Sequence, residues 1–143
     1  MILRIVPLAL AALIASPGGQ AGDEGKRPLP PRIIEVRMVD KSPTEFVFQP
    51  SDVKAAPGDV IRFVQTGVMP HNVEFVEAPA TGMPDSLRMG PYLIRAGATY
   101  DIAVDDRLPP GAYPFVCTPH APLGMKGTLT VQPATPDTEG GEP

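Results

Sequence analysis

The sequence predicts an all-β fold, a Greek-key β-sandwich of about seven or eight strands. Between residues 33 and 132, short runs of β-branched and aromatic residues alternate with Pro and Gly. Those two residues mark turns, because Pro fixes φ and Gly lets the chain reverse. Nowhere in this stretch do apolar residues keep a helical period for three turns. These observations favour two packed sheets.

Seven segments have the pattern of strands that rest one face on a core. In residues 60–64 and 100–104, polar and apolar residues roughly alternate, as expected for half-buried strands. Turns with Pro and Gly at 56–59 and 108–111 precede or follow such segments. The predicted strands are 33–39, 45–48, 59–64, 72–76, 99–104, 111–116 and 127–131. The longest irregular piece, 77–91, has room for a short helix at 85–89.

The length and composition of the chain predict one folded domain with a flanking segment at each end. Residues 1–21 have the order of a secretory signal peptide: Arg4, an apolar stretch at 5–14 and small residues near Ala21. The apolar stretch falls short of the roughly 20 residues that span a bilayer, so we expect cleavage, with a retained membrane anchor as the alternative. A flexible Pro-rich linker (22–32), the folded domain (33–132) and a disordered tail (133–143) would follow. The expected location is periplasmic or otherwise extracytoplasmic, without stable membrane association.

Charge and motifs exclude several classes of function. The chain has 12 Lys and Arg against 16 Asp and Glu, a formal net charge of −4, and its basic residues are scattered. Nucleic acid is therefore not an expected partner. The sequence contains no Gly-rich phosphate loop and no Ser/His/Asp set with a recognisable motif. We do not expect an enzyme.

The single cysteine lies in a dense group of metal-binding residue types. His120 follows Cys117 at +3 and Met125 follows it at +8, an arrangement that chance would give on the order of once in two thousand sequences of this composition. A lone Cys is most often a small buried apolar residue. The flanking His and Met favour metal binding instead, which would also protect a free thiol in an oxidising compartment.

The chemistry of these residues points to copper. Thiolate and thioether suit Cu(I), imidazole suits both oxidation states, and a Cys/His/His plane with a weak axial Met describes a type 1 copper site. The second imidazole has to be His71, the only other histidine. The candidate metal ligands are thus His71, Cys117, His120 and Met125, around one type 1 Cu ion. Taken singly, His71 resembles an ordinary satisfied histidine and Met125 resembles core filler; the combination favours copper.

Motifs across residues 33–132 resemble the cupredoxins, and among them the plastocyanins. They are Phe48-x-Pro50, Ala56-Pro57-Gly58-Asp59, Pro70-His71-Asn72-Val73-x-Phe75, Gly97-x-x-Tyr100, and Gly111-x-Tyr113-x-Phe115-x-Cys117-x-Pro119-His120 with Met125. The resemblance implies a cupredoxin-like fold in which His71, Cys117 and His120 bind copper in a plane and Met125 is the long axial ligand. It also implies that Asn72 ties the His71 loop to the segment around Thr118.

One departure from plastocyanins affects the expected partner surface. Plastocyanins commonly carry a surface Tyr immediately before the ligand Cys, beside acidic clusters that dock the electron donor, whereas this chain has Val116 there. We therefore expect docking through an apolar rim around His120. The rim residues are Met69, Pro70, Pro122 and Leu123.

The favoured function is a soluble, exported, monomeric carrier of single electrons between protein redox partners. A metal with four protein ligands has no open position for a substrate. The alternative is a periplasmic copper carrier or resistance protein that binds and delivers copper, but Met69, Met83 and Met89 are too widely spaced to form a Met-rich transport site. An oxidase or nitrite reductase would need imidazoles for a second copper, and none remains.

Overall fold

The computed structural model describes residues 30–79 and 82–134. In this part of the chain, eight strands form two four-stranded sheets, which confirms the predicted all-β sandwich. The strands are β1 (Ile33–Ser42), β2 (Glu45–Gln49), β3 (Asp52–Ala55), β4 (Val60–Gln65), β5 (Glu74–Phe75), β6 (Thr99–Ala103), β7 (Gly111–Val116) and β8 (Lys126–Val131). Their orders are β2-β1-β4-β6 in one sheet and β3-β8-β7-β5 in the other.

The topology brings distant chain segments to one end of the sandwich. β1 pairs in parallel with β4, so both strands finish at the same end. The connections that follow β4 and β7 contain His71 and Cys117, whose side chains meet there. Three segments far apart in sequence, the end of β1 and these two connections, therefore converge on one site.

Aromatic side chains fill the space between the sheets. Phe115 of β7 meets Phe48, Phe63 and Phe75 at ring-centroid distances of 4.8, 5.5 and 5.9 Å, all edge to face. Such pairs contribute about 0.5–1.5 kcal/mol each beyond the apolar area they bury. This packing gives the end loops a rigid base.

The structure adds one strand and one helix to those predicted. β3 has only four residues and follows β2 after two intervening residues, so the alternation in its sequence was too short to be recognised. The segment predicted as strand 72–76 pairs with β7 only over β5, and its first residue, Asn72, bonds through its side chain to Thr118. The short helix expected at 85–89 is confirmed as one turn, α1 (Asp85–Arg88), and a 3₁₀ helix spans Thr118–Leu123.

The predicted signal peptide, most of the predicted linker and most of the predicted tail lie outside the described residues. Among the residues that are described, no helix has the length and apolar character needed to cross a membrane.

Candidate metal centre

Three of the four predicted ligands lie together at one end of the sandwich. Cys117 Sγ is 3.5 Å from His71 Nδ1 and 3.4 Å from His120 Nδ1, and the two nitrogens are 3.0 Å apart. His71 and Cys117 are fully buried, and His120 is 7% exposed. In the plane of the three atoms, the equidistant point is roughly 1.9 Å from each, close to metal–imidazole bond lengths near 2.0 Å and shorter than metal–thiolate bonds near 2.3 Å.

The electrostatics of this triangle favour a cation at its centre. Burial raises the pKa of the Cys117 thiol, and the backbone N–H groups of Asn72 and His120 only partly oppose that rise. Burial, together with the neighbouring His71, lowers the pKa of His120 and so favours its neutral form. A buried thiolate needs a compensating positive charge, and a metal ion supplies it while deprotonating the thiol. The residues present thus fit a copper ion.

Cys117, His120 and Met125 belong to one loop that holds its own shape. The His120 N–H donates to the Cys117 carbonyl at 3.0 Å, the Met125 N–H to the His120 carbonyl at 3.2 Å, and the Cys117 N–H to the Met125 carbonyl at 3.1 Å. Gly124 closes the 3₁₀ helix in the left-handed conformation, with φ of 86°. Met125 is fully buried and its backbone returns beside Cys117. Its axial role stays a prediction.

His71 is held by contacts with other parts of the chain. Its backbone forms an isolated bridge with Leu93, with the two N–H···O distances at 3.2 and 2.7 Å. On the far side of its ring, Nε2 lies 2.6 Å from Asp40 Oδ1. Burial would raise the pKa of Asp40, but hydrogen bonds from the Met69 N–H, His71 and the Val68 N–H together bring it below its usual value. Asp40 is therefore ionised at neutral pH.

Asn72 joins the two parts of the site, as predicted. Its Nδ2 donates to Thr118 Oγ1 and its Oδ1 accepts from the Thr118 N–H, both at 2.8 Å. Thr118 Oγ1 in turn donates to Glu74 Oε2 at 2.7 Å. Two reciprocal bonds between the residues that follow His71 and Cys117 fix the spacing of these candidate ligands.

Sequence reasoning missed three further residues that support the site. Asp40 contacts His71, Phe46 stacks on the His120 ring with centroids 3.9 Å apart, and the buried Gln65 side chain donates to the carbonyls of Gly67 and Met69. All three lie at strand positions whose side chains point towards the core, two residues from a buried apolar residue. A polar residue at such a position is unusual, and this could have identified Asp40 and Gln65 from the sequence.

The four residues expected to form an apolar rim are exposed, and their arrangement around His120 stays a prediction. Met69, Pro70, Pro122 and Leu123 are all exposed, with Met69 at 44% and Leu123 at 50%. Val116, the residue before Cys117, is half-buried. His120 itself is 7% exposed.

The amino-acid sequence is similar to those of known copper-binding proteins. A family model described as copper binding proteins of the plastocyanin/azurin family matches residues 35–132. The chain is 39% identical over 87 residues to plastocyanin A/B of Petroselinum crispum, which covers 59% of this chain and 87% of that protein. It is 36% identical over 86 residues to plastocyanin of Prochlorothrix hollandica, covering 60% of this chain and 63% of that protein.

Solved structures agree on the fold. The oxidised plastocyanin of the fern Dryopteris crassirhizoma superposes with a TM-score of 0.56 at 30% identity, covering 69% of this chain and all of that one. An amicyanin superposes with a TM-score of 0.52 at 24% identity, covering 70% of this chain and 82% of that one. The second match concerns the fold alone.

Proposed function

Because the chain belongs to the plastocyanin/azurin family of copper-binding proteins, we propose that it is an exported, soluble protein that passes single electrons between protein partners. As a cupredoxin most similar to plastocyanin, it is a blue copper electron-transfer protein with one type 1 copper ion. The proposal adds the identity of the ligands, the route of the electron and the extracytoplasmic location.

We propose His71, Cys117 and His120 as the in-plane ligands and Met125 as the axial one. The observation that carries the first three assignments is the triangle of two Nδ1 atoms and one Sγ with edges of 3.0 to 3.5 Å, whereas Met125 is proposed from its burial beside Cys117 and from the family resemblance. When bound, copper supplies the one-electron step by cycling between Cu(II) and Cu(I). The chain supplies a rigid frame, since packing and hydrogen bonds hold each ligand in one place whichever oxidation state is present.

The burial of the ligands supports an electron carrier over a copper carrier. A delivery site has to release its ion to an acceptor, which favours ligands that a partner can reach. Here His71, Cys117 and Met125 are fully buried, and His120 is 7% exposed. An electron can leave through the His120 edge without any ligand moving. The periplasmic copper carrier or resistance protein remains the second candidate, and the experiment below separates the two.

The test is to load the purified protein with Cu(II) and record its visible and paramagnetic resonance spectra. A Cu(II)–thiolate bond should give an intense blue colour, and Cys117→Ser should lose it because a hydroxyl cannot replace the thiolate. Zinc-loaded wild type is the control, since Zn²⁺ has no redox chemistry and should be colourless in the same site. An intense blue colour in Cys117→Ser would contradict the ligand assignment. A colourless wild type that releases Cu(I) readily would favour the copper carrier.

The docking surface has its own test. Leu123→Glu should slow electron exchange with a protein partner while leaving the visible spectrum intact, and the wild-type rate should depend weakly on salt. Ile33→Glu is the matched control, because Ile33 is also 50% exposed but lies at the start of β1, away from the site. A steep fall of the rate with salt, combined with a normal rate for Leu123→Glu, would place docking on a charged face.

A further inference from the structure

Asp40 is an acidic residue at a position where the strand pattern calls for an apolar one. It lies on the same side of β1 as Val36 and Met38, which are fully buried. The register between β1 and β2 then shifts between Asp40 and Ser42, so Lys41 is the extra residue of a β-bulge. Bulges often re-aim a side chain beside a functional site. The bulge follows the residue whose carboxylate meets His71.

Among the described residues, every hydrogen bond of this carboxylate comes from the His71 loop. Oδ1 is 2.6 Å from His71 Nε2, and Oδ2 accepts the N–H groups of Val68 and Met69 at 2.8 and 3.0 Å. An ionised carboxylate only accepts hydrogen bonds, so the proton of a neutral His71 has to be on Nε2. The lone pair of Nδ1 then faces Cys117 and His120, where a metal ligand needs it.

Gly67 is what lets the carboxylate lie so close to the loop. A Cβ at this position would overlap the Asp40 carboxyl carbon and both of its oxygens. A glycine is therefore required by this close approach. The sequence provides both parts of the contact, an inward acid on β1 and a residue without a side chain opposite it.

We propose that Asp40 is the positioning residue for His71: its carboxylate fixes the ring in the tautomer that offers Nδ1 to copper and, through the ring, favours Cu(II) over Cu(I). This inference rests on the proposed copper function. Its physical basis is that a hydrogen-bonded carboxylate orients a ligating imidazole and raises its basicity. A more basic ligand stabilises the more highly charged metal ion, so the carboxylate lowers the reduction potential.

Asp40→Asn tests the role of the charge at nearly constant volume. One amide cannot serve both sides: with its oxygen towards Val68 and Met69, its NH₂ faces His71 Nε2 and demands the other tautomer. We expect Cu(II) affinity to fall by about 10- to 100-fold, Cu(I) affinity to fall less, and the reduction potential to rise. Asp59→Asn is the control for neutralising a largely buried carboxylate, because Asp59 accepts the Ala56 N–H at 2.7 Å and pairs with Arg32 rather than with a proposed ligand.

Nitrogen NMR of the copper-free protein gives a readout that does not need copper. The His71 ring of the wild type should show a protonated Nε2 and an unprotonated Nδ1, and Asp40→Asn should change that assignment while Asp59→Asn does not. Wild-type tautomer, affinities and potential in Asp40→Asn would overturn the inference. Failure of the proposed function would look different, since wild type would then form no blue centre while the tautomer could still be read.

Gly67→Ala provides a second variant if Asp40→Asn folds poorly. It keeps the carboxylate but pushes it away from His71 Nε2. We expect the His71 tautomer population and the reduction potential to change in the same direction as in Asp40→Asn, but by less. A folded Gly67→Ala protein with wild-type tautomer and potential would overturn the inference.

Discussion

The His71 side of the metal centre and the loop that carries Cys117, His120 and Met125 are built in different ways. The loop is held by backbone hydrogen bonds between residues no more than eight positions apart. His71 is held by Asp40, 31 residues earlier in the chain, and by the backbone of Leu93. The first half needs only a short closed loop, whereas the second needs the finished sandwich. Loop-closure entropy makes the second the more demanding arrangement.

The His71 side and the loop of Cys117, His120 and Met125 contribute differently to the site. The loop contains the proposed ligands Cys117, His120 and Met125, whose spacing is fixed locally, and His120 is the one of them that is partly exposed. The His71 side contains a proposed ligand that is fully buried and is anchored by Asp40 on the far side of its ring. Asn72 is the residue that bonds the two halves together. Changes that act on one half, or on the link between them, should therefore give distinct results.

The largest effect is expected from breaking the link. Asn72→Ala removes both hydrogen bonds to Thr118 and leaves the Thr118 backbone N–H without its acceptor. This should lower the free energy of unfolding by about 1–3 kcal/mol. Urea unfolding of the copper-free protein measures this loss. Gln132→Ala, an exposed position, should change stability by less than about 0.5 kcal/mol. Equal stability of the two variants would show that the halves are not coupled through Asn72.

A smaller effect is expected from straining the local half alone. Gly124→Ala should cost about 1–2 kcal/mol, because φ of 86° is a left-handed conformation that disfavours a Cβ. Gly58→Ala is a matched control, since Gly58 has φ of 94° and, like Gly124, open space around an added Cβ. Both variants should lose similar stability in urea unfolding, but only Gly124→Ala should alter the copper spectrum. An altered spectrum in Gly58→Ala would contradict the local character of the loop.

The axial position should have less effect on stability than on the copper itself. Met125→Leu nearly conserves volume and should cost less than about 1.5 kcal/mol. Its reduction potential, measured by voltammetry, should rise because losing a weak donor destabilises Cu(II) more than Cu(I). Met83→Leu is the control, as Met83 is a mostly buried methionine outside the loop. An unchanged potential in Met125→Leu would count against Met125 as the axial ligand.

The smallest effect is expected from removing copper. Hydrogen exchange should become severalfold faster at Gly124 and Met125, whose N–H groups bond only to carbonyls of the same short loop that contains three of the proposed ligands. The amides of His71 and Leu93 should change less, because they bond to each other between distant segments of the sandwich and the His71 ring keeps its contact with Asp40. Faster exchange at His71 than at Met125 would reverse the comparison.

The sequence was most informative where structure depends on neighbouring residues. The alternation of polar and apolar residues predicted most strands. The spacing of Cys117, His120 and Met125 indicated a metal-binding loop, because residues within nine positions of one another in one short loop are necessarily close in space. β3 was missed since a four-residue alternation is too short to stand out. Asp40 was missed because an acid near the end of a predicted strand is usually solvated. Its partner lies 31 residues away, and only the pairing of β1 with β4 brings the two together.

The unequal exposure of the two histidines determines whether the electron donor and the electron acceptor can bind at the same time. His71 is sealed from solvent, and of the two rings only that of His120 reaches the surface. The residue before Cys117 is the half-buried Val116, which offers no aromatic second exit. If donor and acceptor both use the His120 edge, they compete for one small contact area and bind in succession. Steady-state turnover should then follow ping-pong kinetics, with an excess of either partner inhibiting exchange with the other.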